Sequence, residues 1–341
     1  MARKLAFINQ KGGVGKTTLT ANCGAFWARR GHRVLAIDLD PQAHLSLHLG
    51  VEERGVDDPN SLYHVLHGDA ALADARVPVE GEEGLDLVPS TRHLASAEHE
   101  LNNEVGREGL LKGALERLLA EEPYDLVIID CPPSLGLLSI NALCAVDEVV
   151  IPVQAEFFAL QGIAQLLDIL ERVQKRIHPG LKWRVFVPTL VDRRTSFGRE
   201  VIANLREHFP GSVTESWIPK RVKIAEAPSY GQSIFGYAPD SPGASDFEQL
   251  ARELESRLEF PAPHRPARAP EARLPEEKVS ENGSRLPAET TESTVATPAA
   301  PSPEAAPEER VEPKAVDSNR IDSNRIDTQS AEPQRDEPRA S

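Results

Sequence analysis

Short apolar runs recur along the first 260 residues of the chain and alternate with longer stretches of helical spacing. Most runs are continuously apolar, which is typical of strands that helices cover on both faces of a parallel sheet. The predicted strands are KLAFIN (4–9), RVLAID (33–38), LDLVP (85–89), DLVIID (125–130), EVVIPV (148–153), RVFVPTL (184–190) and VTESWI (213–218). The predicted helices cover residues 18–30, 109–120, 160–177, 197–208 and 246–259. This alternation predicts one doubly wound α/β domain over residues 1–260, with a mostly parallel sheet.

The remaining 81 residues, 261–341, have a different composition. They contain no Phe, Trp or Tyr, hold 13 of the 28 prolines, and carry 11 Lys and Arg against 16 Asp and Glu. Such a segment cannot bury enough apolar surface to offset the entropy of ordering, so we expect a disordered, proline-rich acidic tail. The repeat DSNRIDSNRID (317–327) is interpreted as a duplication in an unconstrained segment, with a linear binding motif as the alternative.

The net charge of −15 at pH 7 and the three cysteines limit the binding partners and the cellular compartment that we expect for this protein. An acidic chain should on average repel DNA and anionic membranes, although a local basic patch can override that average. Cys23, Cys131 and Cys144 show neither disulfide nor metal-site spacing, which fits a reducing compartment. Because no apolar run approaches the ~18 residues of a membrane span, we expect a cytoplasmic protein that does not bind membranes.

The stretch NQKGGVGKTT (9–18) lies between the first predicted strand and the first predicted helix. Gly15, Lys16 and Thr17 match the second half of the phosphate-loop pattern G-x-x-x-x-G-K-[ST]. The first half departs from the pattern, because Gln10 replaces the first glycine and a second cation, Lys11, follows it. The strand–loop–helix context favours a phosphate-binding loop over a chance turn of glycine and lysine.

The composition of this loop suits an anion. Its glycines allow successive backbone N–H groups to point inward, and the following helix adds its positive end. Lys16 can reach the β- and γ-phosphates of a nucleotide, and the Thr17 hydroxyl can ligate Mg²⁺. The predicted nucleotide contacts are Gly12, Gly13, Val14, Gly15, Lys16, Thr17 and Thr18, while the loop composition leaves the function of the extra cation, Lys11, open.

Carboxylates stand at the ends of two further predicted strands. Asp38 ends the apolar run in AIDLDPQ and Asp40 follows it, while Asp130 ends the run in VIIDCPPS. Two carboxylates near Mg²⁺ and a γ-phosphate can hold a metal-bound water and orient an attacking water. Taken singly, these residues would also suit solvated turn aspartates or a strand cap. Beside a phosphate loop, they predict a metal site formed by Thr17, Asp38 and Asp130.

Basic residues are concentrated in one part of the acidic chain. Between Arg172 and Lys223 there are 12 Lys and Arg against 4 Asp and Glu. A solvated face is the usual explanation for such a run, but this degree of segregation favours a surface that attracts phosphate backbones without reading sequence. The predicted DNA-binding residues are Arg193, Arg194, Lys220, Arg221 and Lys223.

Several motifs occur in a shared order over residues 2–257. They are NQKGGVGKTT, AIDLDPQ, YDLVIIDCPPSLGLLSINAL, IPVQAEFFALQGIAQLL and IPKRVKIAEAPSYGQSI, and together they resemble the ParA/Soj family of bacterial partitioning ATPases. That family belongs to the deviant Walker A group of P-loop NTPases. The resemblance implies that ATP and Mg²⁺ are the cofactors and that the protein forms a homodimer that closes around two nucleotides. It also implies that the ATP-bound dimer binds DNA non-specifically on the nucleoid. A ParB-like partner would stimulate hydrolysis during chromosome or plasmid partition.

The resemblance also implies roles for individual residues of the loop. Lys11 matches the signature lysine that crosses the dimer to the other subunit's phosphates, and Gly12 lies where the subunits approach closely. Lys16 and Thr17 match the phosphate and Mg²⁺ residues. The catalytic residues implied are therefore Lys11, Lys16 and Asp40.

Asp40 matches the aspartate that positions the attacking water, and Asp38 and Asp130 match carboxylates around the metal. Arg194 and Lys223 match basic positions used for DNA. Lysine stands at 220 and 223 where relatives often have arginine, which keeps the charge and loses the fork geometry of a guanidinium.

Three other functions remain as alternatives. A redox relative would need cluster-binding cysteines, whose usual spacing Cys131 and Cys144 do not offer. A membrane-positioning ATPase like MinD would need a basic amphipathic C-terminal helix, whereas FEQLARELESRLEF precedes the acidic tail. A partitioning-type ATPase that positions another intracellular cargo cannot be separated from one that segregates chromosomes or plasmids.

Overall fold

The structure, a computed structural model, describes residues 2–52, 55, 57–156, 159–192 and 196–264. The strands are β1 (Arg3–Phe7), β2 (Val34–Asp38), β3 (Val77–Pro78), β4 (Leu85–Val88), β5 (Leu126–Asp130), β6 (Glu148–Gln154), β7 (Lys182–Val191) and β8 (Ile218–Pro219). The α-helices are α1 (Lys16–Arg29), α2 (His44–His48), α3 (Leu62–His67), α4 (Leu72–Ala75), α5 (Leu94–Glu100), α6 (Leu110–Glu121), α7 (Leu137–Ala145), α8 (Ala159–Arg176), α9 (Ser196–His208), α10 (Val222–Glu226), α11 (Ile234–Tyr237) and α12 (Pro242–Arg257).

These strands form one sheet in the order β3-β4-β2-β5-β1-β6-β7-β8. All neighbouring pairs are parallel except β3 and β4, which run antiparallel. Helices cover both faces, with α3, α6, α7, α8 and α9 contributing to one hydrophobic core and α1, α2, α11 and α12 to the other. The predicted doubly wound, mostly parallel α/β fold is therefore confirmed.

Strand β1 shows why the apolar runs are continuous. Its side chains alternate between the two faces, so that Leu5 and Phe7 enter one core while Ala6 and the following Ile8 enter the other. Both faces of the strand are buried from solvent, and these positions are apolar for that reason.

The order of the strands determines where a ligand can bind. β1 lies between β5 and β6, so the chain passes to one side of β1 for β2 to β5 and to the other side for β6 to β8. In an open α/β sheet, ligands bind at such a reversal, outside the carboxyl ends of the strands. The register places Phe7 and Asp38 each level with Asp130 at that edge.

The predicted strand at 213–218 is largely wrong. Only Ile218 and Pro219 form β8, and Val213 makes an isolated bridge to Phe186. The N–H groups of residues 215 and 216 instead donate to the Glu253 carboxylate of α12, both at 2.8 Å. A helix far along the chain thus satisfies the donors that a strand would have used.

Several short elements were not predicted from the sequence. β3 has only two residues, and α2, α4, α10 and α11 have five or fewer, which is too short for a periodic pattern. Helix α7 has nine residues, seven of them buried. An apolar helix that is covered nearly all round shows no polar stripe and so cannot be distinguished by periodicity.

The predicted tail, 261–341, lies outside the described residues apart from 261–264, which form no helix or strand. Phe260 packs its ring edge-on against Trp27, with centroids 4.9 Å apart, and His264 Nδ1 contacts the Asp125 carboxylate. The domain boundary at 260 therefore stays a prediction. No helix in the described part of the chain is long and apolar enough to cross a bilayer.

Candidate active site

The loop between β1 and α1 has the backbone conformation that its glycines allow. Gly13 and Gly15 have φ angles of 74° and 91°, in the left-handed region that favours glycine. Gly15 precedes α1, and no side chain caps the helix there. Since the first N–H groups of a helix have no partner within it, the loop and the helix start together form a site for an anion. Lys16, at the start of α1, is only 7% exposed.

Neighbouring strands hold this loop in place through residues that the sequence did not single out. Asn9 donates through Nδ2 to the Pro152 carbonyl at 2.7 Å and accepts from the Lys11 N–H at 3.0 Å. The Thr189 hydroxyl donates to the Val14 carbonyl at 2.7 Å. Asn9 lies just after β1 and Thr189 lies near the end of β7. These positions could have identified both residues from the sequence, because the ends of such strands lie at the ligand edge of the sheet.

Asp130 ends β5 directly beneath the loop and is fully buried. Its Oδ2 accepts from the Thr17 hydroxyl at 2.6 Å, while its Oδ1 is buried without a hydrogen-bond partner among the described residues. Burial and the nearby Asp38 carboxylate raise the pKa of Asp130 well above its ordinary value, and the Thr17 hydrogen bond and the Lys16 ammonium oppose that rise. One carboxylate oxygen is thus left with an unused acceptor in a dry site.

Asp38 ends β2 on the neighbouring strand and is also fully buried. Its Oδ2 accepts from the backbone N–H and the hydroxyl of Ser46, at 2.8 and 2.7 Å, and its Oδ1 accepts from the Asp40 N–H at 3.3 Å. Burial raises the pKa of Asp38 to about 7, against the lowering effect of the Ser46 hydrogen bonds. Ser46 lies on α2 and was missed, because a serine in a short helix gives no sequence signal.

Asp40 follows on the chain and is 7% exposed. Its Oδ1 accepts from the Gln42 N–H at 3.0 Å, and its carbonyl accepts from the Ser90 hydroxyl at 2.6 Å. These bonds fix the backbone and the side chain of Asp40 at the same sheet edge as Asp38 and Asp130. The predicted catalytic and metal residues other than Lys11 are therefore gathered around the start of α1.

The residues present fit a Mg²⁺ ion. Mg²⁺ is usually held by one or two protein oxygen ligands together with water and substrate phosphates. The Thr17 hydroxyl and the unpartnered Asp130 Oδ1 are oxygen ligands of this kind, adjacent to each other. Within the described ranges, no three His, Cys, Asp or Glu side chains form a metal cluster.

Lys11 stands apart from Lys16 in its surroundings. Its side chain is 47% exposed, and its ammonium pairs with Glu156, just beyond β6, whose side chain is 50% exposed. The other oxygen of Glu156 contacts the Gln154 amide. An exposed pair of this kind contributes only ~0–1 kcal/mol, so Lys11 can change partners at little cost.

The predicted DNA-binding residues are only partly described. Arg193 and Arg194 lie outside the described residues. Lys220 is exposed, whereas Arg221 donates to Asp246 at 2.6 Å and Lys223 to Glu226 at 2.9 Å. Lys223 also lies over the Tyr237 ring, 5.2 Å from its centroid. The DNA-binding assignment stays a prediction, and two of its cations already have carboxylate partners.

Comparison with known proteins agrees with this geometry. A family model described as an AAA domain matches residues 2–183. The chain is 44% identical over 254 residues to the sporulation initiation inhibitor protein Soj of Bacillus subtilis, covering 74% of this chain and 98% of that protein. It is 43% identical over 255 residues to the chromosome partitioning protein ParA of Caulobacter vibrioides, covering 75% and 94%. This chain belongs to the ParA/Soj family.

Solved structures add the ligands of related proteins. A cobyrinic acid a,c-diamide synthase from Mycobacterium smegmatis, with a bound ATP analogue and magnesium, is 36% identical with a TM-score of 0.65, over 75% of this chain and 96% of that one. MinD of Pyrococcus horikoshii with Mg-ADP is 27% identical with a TM-score of 0.61, over 75% and 97%. The ATP and Mg²⁺ predicted from the sequence are consistent with the ATP analogue, ADP and magnesium bound in these two structures.

Substituting Asp130→Asn tests the metal assignment. We expect Mg²⁺-dependent affinity for ADP to fall at least tenfold. Without nucleotide, the thermal midpoint at pH 8 should rise by about 2–4 °C, because a neutral amide removes a buried charge beside Asp38. Calorimetry of ADP binding with and without Mg²⁺, and of unfolding in EDTA, measures both effects.

The matched control is Asp125→Asn, at the amino end of the same strand. Asp125 is also buried, but its carboxylate accepts from the Arg33 N–H at 2.8 Å. Neutralising this carboxylate should therefore lower the thermal midpoint and leave the Mg²⁺ dependence of ADP affinity intact. Unchanged Mg²⁺ dependence in Asp130→Asn would remove Asp130 from the metal site.

Proposed function

We propose that this protein hydrolyses ATP with Mg²⁺, dimerises when ATP is bound, binds DNA non-specifically in that state, and partitions chromosomes or plasmids with a ParB-like activator. The observation that carries the proposal is the Thr17–Asp130 hydrogen bond of 2.6 Å beneath a glycine loop that presents Lys16. It joins the phosphate-binding and metal-binding halves of an ATP site. The similarity to Soj and ParA supports the partitioning role.

ATP binding follows from the loop and the helix that succeeds it. Backbone N–H groups from Gly12 to Lys16 face the β- and γ-phosphates, and the positive end of α1 adds to their field. The buried Lys16 ammonium neutralises phosphate charge in a site where water screens little.

Thr17 and Asp130 would hold Mg²⁺, with Asp38 close behind them. When bound, Mg²⁺ neutralises charge that develops on the phosphate oxygens. Asp40 orients the attacking water, because its carboxylate is fixed beside the metal residues by the Gln42 N–H. Asp38 keeps Asp40 in place through its own hydrogen bond to the Asp40 N–H.

Dimerisation brings Lys11 to the second nucleotide. Gly12 is exposed, and a side chain added there would meet nothing within 4 Å, so the loop presents bare backbone to an approaching copy. Lys11 leaves its ion pair with Glu156 and pairs with the phosphates of the partner subunit's nucleotide. These phosphates carry more negative charge than the single exposed carboxylate of Glu156. The ATP dimer is thereby stabilised by the nucleotide itself.

DNA binding is assigned to a group of basic residues that includes Lys220 and, by its position in the sequence, Arg194. Lys220 is exposed at the end of β8, in a stretch of the chain with a strong local excess of cations. Contacts of this kind bind phosphates without reading bases. We place the ATP-bound dimer on the nucleoid in the cytoplasm, where a ParB-like protein stimulates hydrolysis and releases it. A different intracellular cargo or a MinD-like membrane role is the alternative.

Substituting Asp40→Ala tests the enzymatic part of the proposal. Because the water-orienting carboxylate is lost, ATP hydrolysis should fall roughly 100-fold or more while ATP binding persists, so the variant should accumulate as a DNA-bound dimer. Phosphate release, light scattering with ATP and DNA retention measure these three properties. The control is Asp240→Ala, which removes an exposed carboxylate outside the site. An Asp40→Ala protein that stays monomeric with ATP would refute the dimer mechanism.

Reversing charge at Arg194→Glu and Lys220→Glu together tests the DNA surface. DNA affinity should fall and the slope of log affinity against log salt should shrink by about 2, while ATP-driven dimerisation is unaffected. Anisotropy titrations of labelled duplex at several salt concentrations give both numbers. Lys112→Glu reverses a half-exposed cation of α6 and serves as the control. Equal DNA affinity in all three proteins would place the DNA contact elsewhere.

A further inference from the structure

The four residues Gly231–Ile234, here named the junction segment, lie between the ATP site and the predicted DNA-binding residues. The proposed function requires the nucleotide bound at the first to change the DNA affinity of the second. The four residues follow the predicted DNA-binding residues Lys220, Arg221 and Lys223, of which Lys223 lies in α10, and a short 3₁₀ helix at Ala227–Tyr230 stands between α10 and the junction segment. They also contact three elements that lead back to the ATP site. Each contact is made by a buried group or by backbone.

The first contact is made by Asn22, a fully buried residue on α1. Its Oδ1 accepts from the Ile234 N–H at 2.6 Å, and its Nδ2 donates to the Thr18 carbonyl at 2.8 Å. Thr18 is a predicted nucleotide contact. Since Asn22 lies about 9 Å along the helix from Lys16, a movement of the loop end of α1 is transmitted to Ile234 through one side chain.

The second contact is made at the other end of α1. Arg29 donates to both oxygens of Glu82, at 2.7 and 3.0 Å, and Glu82 is 4% exposed. The Ser233 hydroxyl donates to the same carboxylate and accepts from the Gly236 N–H at 3.2 Å, capping α11. The junction segment is therefore attached to α1 at two points.

The third contact comes from the segment that carries the metal-site and water-orienting aspartates. α2 follows Asp40 and holds Asp38 through Ser46, and Gly50 lies two residues beyond it. A side chain at Gly50 would come within 2.8 Å of the Gly231 carbonyl, and one at Gly231 within 2.8 Å of the Gly50 Cα. Both residues have positive φ angles, 70° and 64°, so the two backbones touch where only glycine fits.

A small cavity of about 70 Å³ adjoins these contacts, lined by Leu49, Val79, Glu82, Gly231, Ser233 and Gly236 among others. Protein interiors are close-packed and transmit displacement through contacts that cannot compress. Here the contacts on α1 and Gly50 are tight, while the cavity leaves room on one side of the junction segment. The segment can therefore shift with the ATP-site elements without disrupting the core.

We propose that the junction segment Gly231–Ile234 couples the ATP site to the predicted DNA-binding residues Lys220–Lys223 within each subunit, and that Asn22 is the positioning residue that transmits the nucleotide state. The proposal rests on the proposed ATP-dependent DNA binding. A nucleotide that draws α1 and the Asp40–Gly50 segment onto its phosphates moves Ile234 and Gly231 together, and the 3₁₀ helix and α10 carry the movement to Lys220–Lys223. By linkage, DNA then raises ATP affinity by the same factor.

The test is the ratio of DNA dissociation constants with Mg-ADP and with a Mg-bound non-hydrolysable ATP analogue, measured on the full chain by anisotropy of a labelled duplex. In Asn22→Ala this ratio should fall about fivefold from the wild-type value, within the range seen for substitutions that weaken coupling between sites. Analogue affinity without DNA and analogue-driven dimerisation should both stay within about twofold of wild type, because Asn22 touches neither phosphates nor the exposed loop.

Asn141→Ala is the matched control. Asn141 is also fully buried on a helix, and its Oδ1 accepts from the Leu111 N–H at 3.1 Å, but on the opposite face of the sheet. The Asn141→Ala variant should lose about as much thermal stability as Asn22→Ala and keep the wild-type ratio of DNA dissociation constants. Ser233→Ala, which removes the Glu82 contact and the α11 cap, provides a second test should Asn22→Ala fail to fold, and should also lower the ratio.

The outcomes separate the two proposals. If the wild-type protein binds DNA equally well with both nucleotides, the proposed ATP-controlled DNA binding fails and the coupling fails with it. If the wild-type ratio is large and both Asn22→Ala and Ser233→Ala retain it, only the coupling through the junction segment is refuted. A loss of analogue affinity as large as the loss of DNA affinity would also refute it, because Asn22 would then act on the nucleotide alone.

Discussion

The burial of two neighbouring carboxylates is the constraint on which the rest of the site depends. Parallel register puts Asp38 and Asp130 level on adjacent strands, where desolvation and mutual repulsion oppose their charges. Ser46 compensates Asp38, but among the described residues Asp130 has only the Thr17 hydroxyl, on one of its oxygens. The other oxygen is an unsatisfied acceptor whose cost a bound cation would relieve, so the protein's stability and its affinity for Mg²⁺ would be linked through the same atom.

Because both aspartates end strands, the sheet and the positions of the candidate metal residues could be predicted together. Continuous apolar runs identified the parallel strands, and the aspartates that end two of these runs indicated the ligand edge. Partners brought in from distant parts of the chain could not be predicted: Ser46 on α2, Thr189 on β7, and Glu253, whose hydrogen bonds replace a predicted strand. None of these has a local pattern, since each is defined by the atom it meets and not by its spacing.

Lys11 and Lys16 show how burial separates two identical side chains in one loop. Lys16 is nearly inaccessible and is proposed to bind the nucleotide of its own subunit, whereas Lys11 is half exposed and pairs with Glu156 at the surface. A weak pair leaves Lys11 available for a stronger anion. α1 and the segment from Asp40 to Gly50 both contact Gly231–Ile234, so nucleotide binding and DNA binding would share one mechanical connection.

The central claim is that each ATP site is completed by Lys11 of the other subunit. Mixing Lys11→Ala protein with Asp40→Ala protein tests it, because a mixed dimer then contains one site with an intact Asp40 and an intact Lys11 from its neighbour. Each variant alone should hydrolyse little ATP, and an equal mixture should recover about a quarter of the wild-type rate, since half the dimers are mixed and each has one complete site. No recovery, with mixed dimers present by light scattering of a size-tagged pair, would show that Lys11 acts within its own subunit.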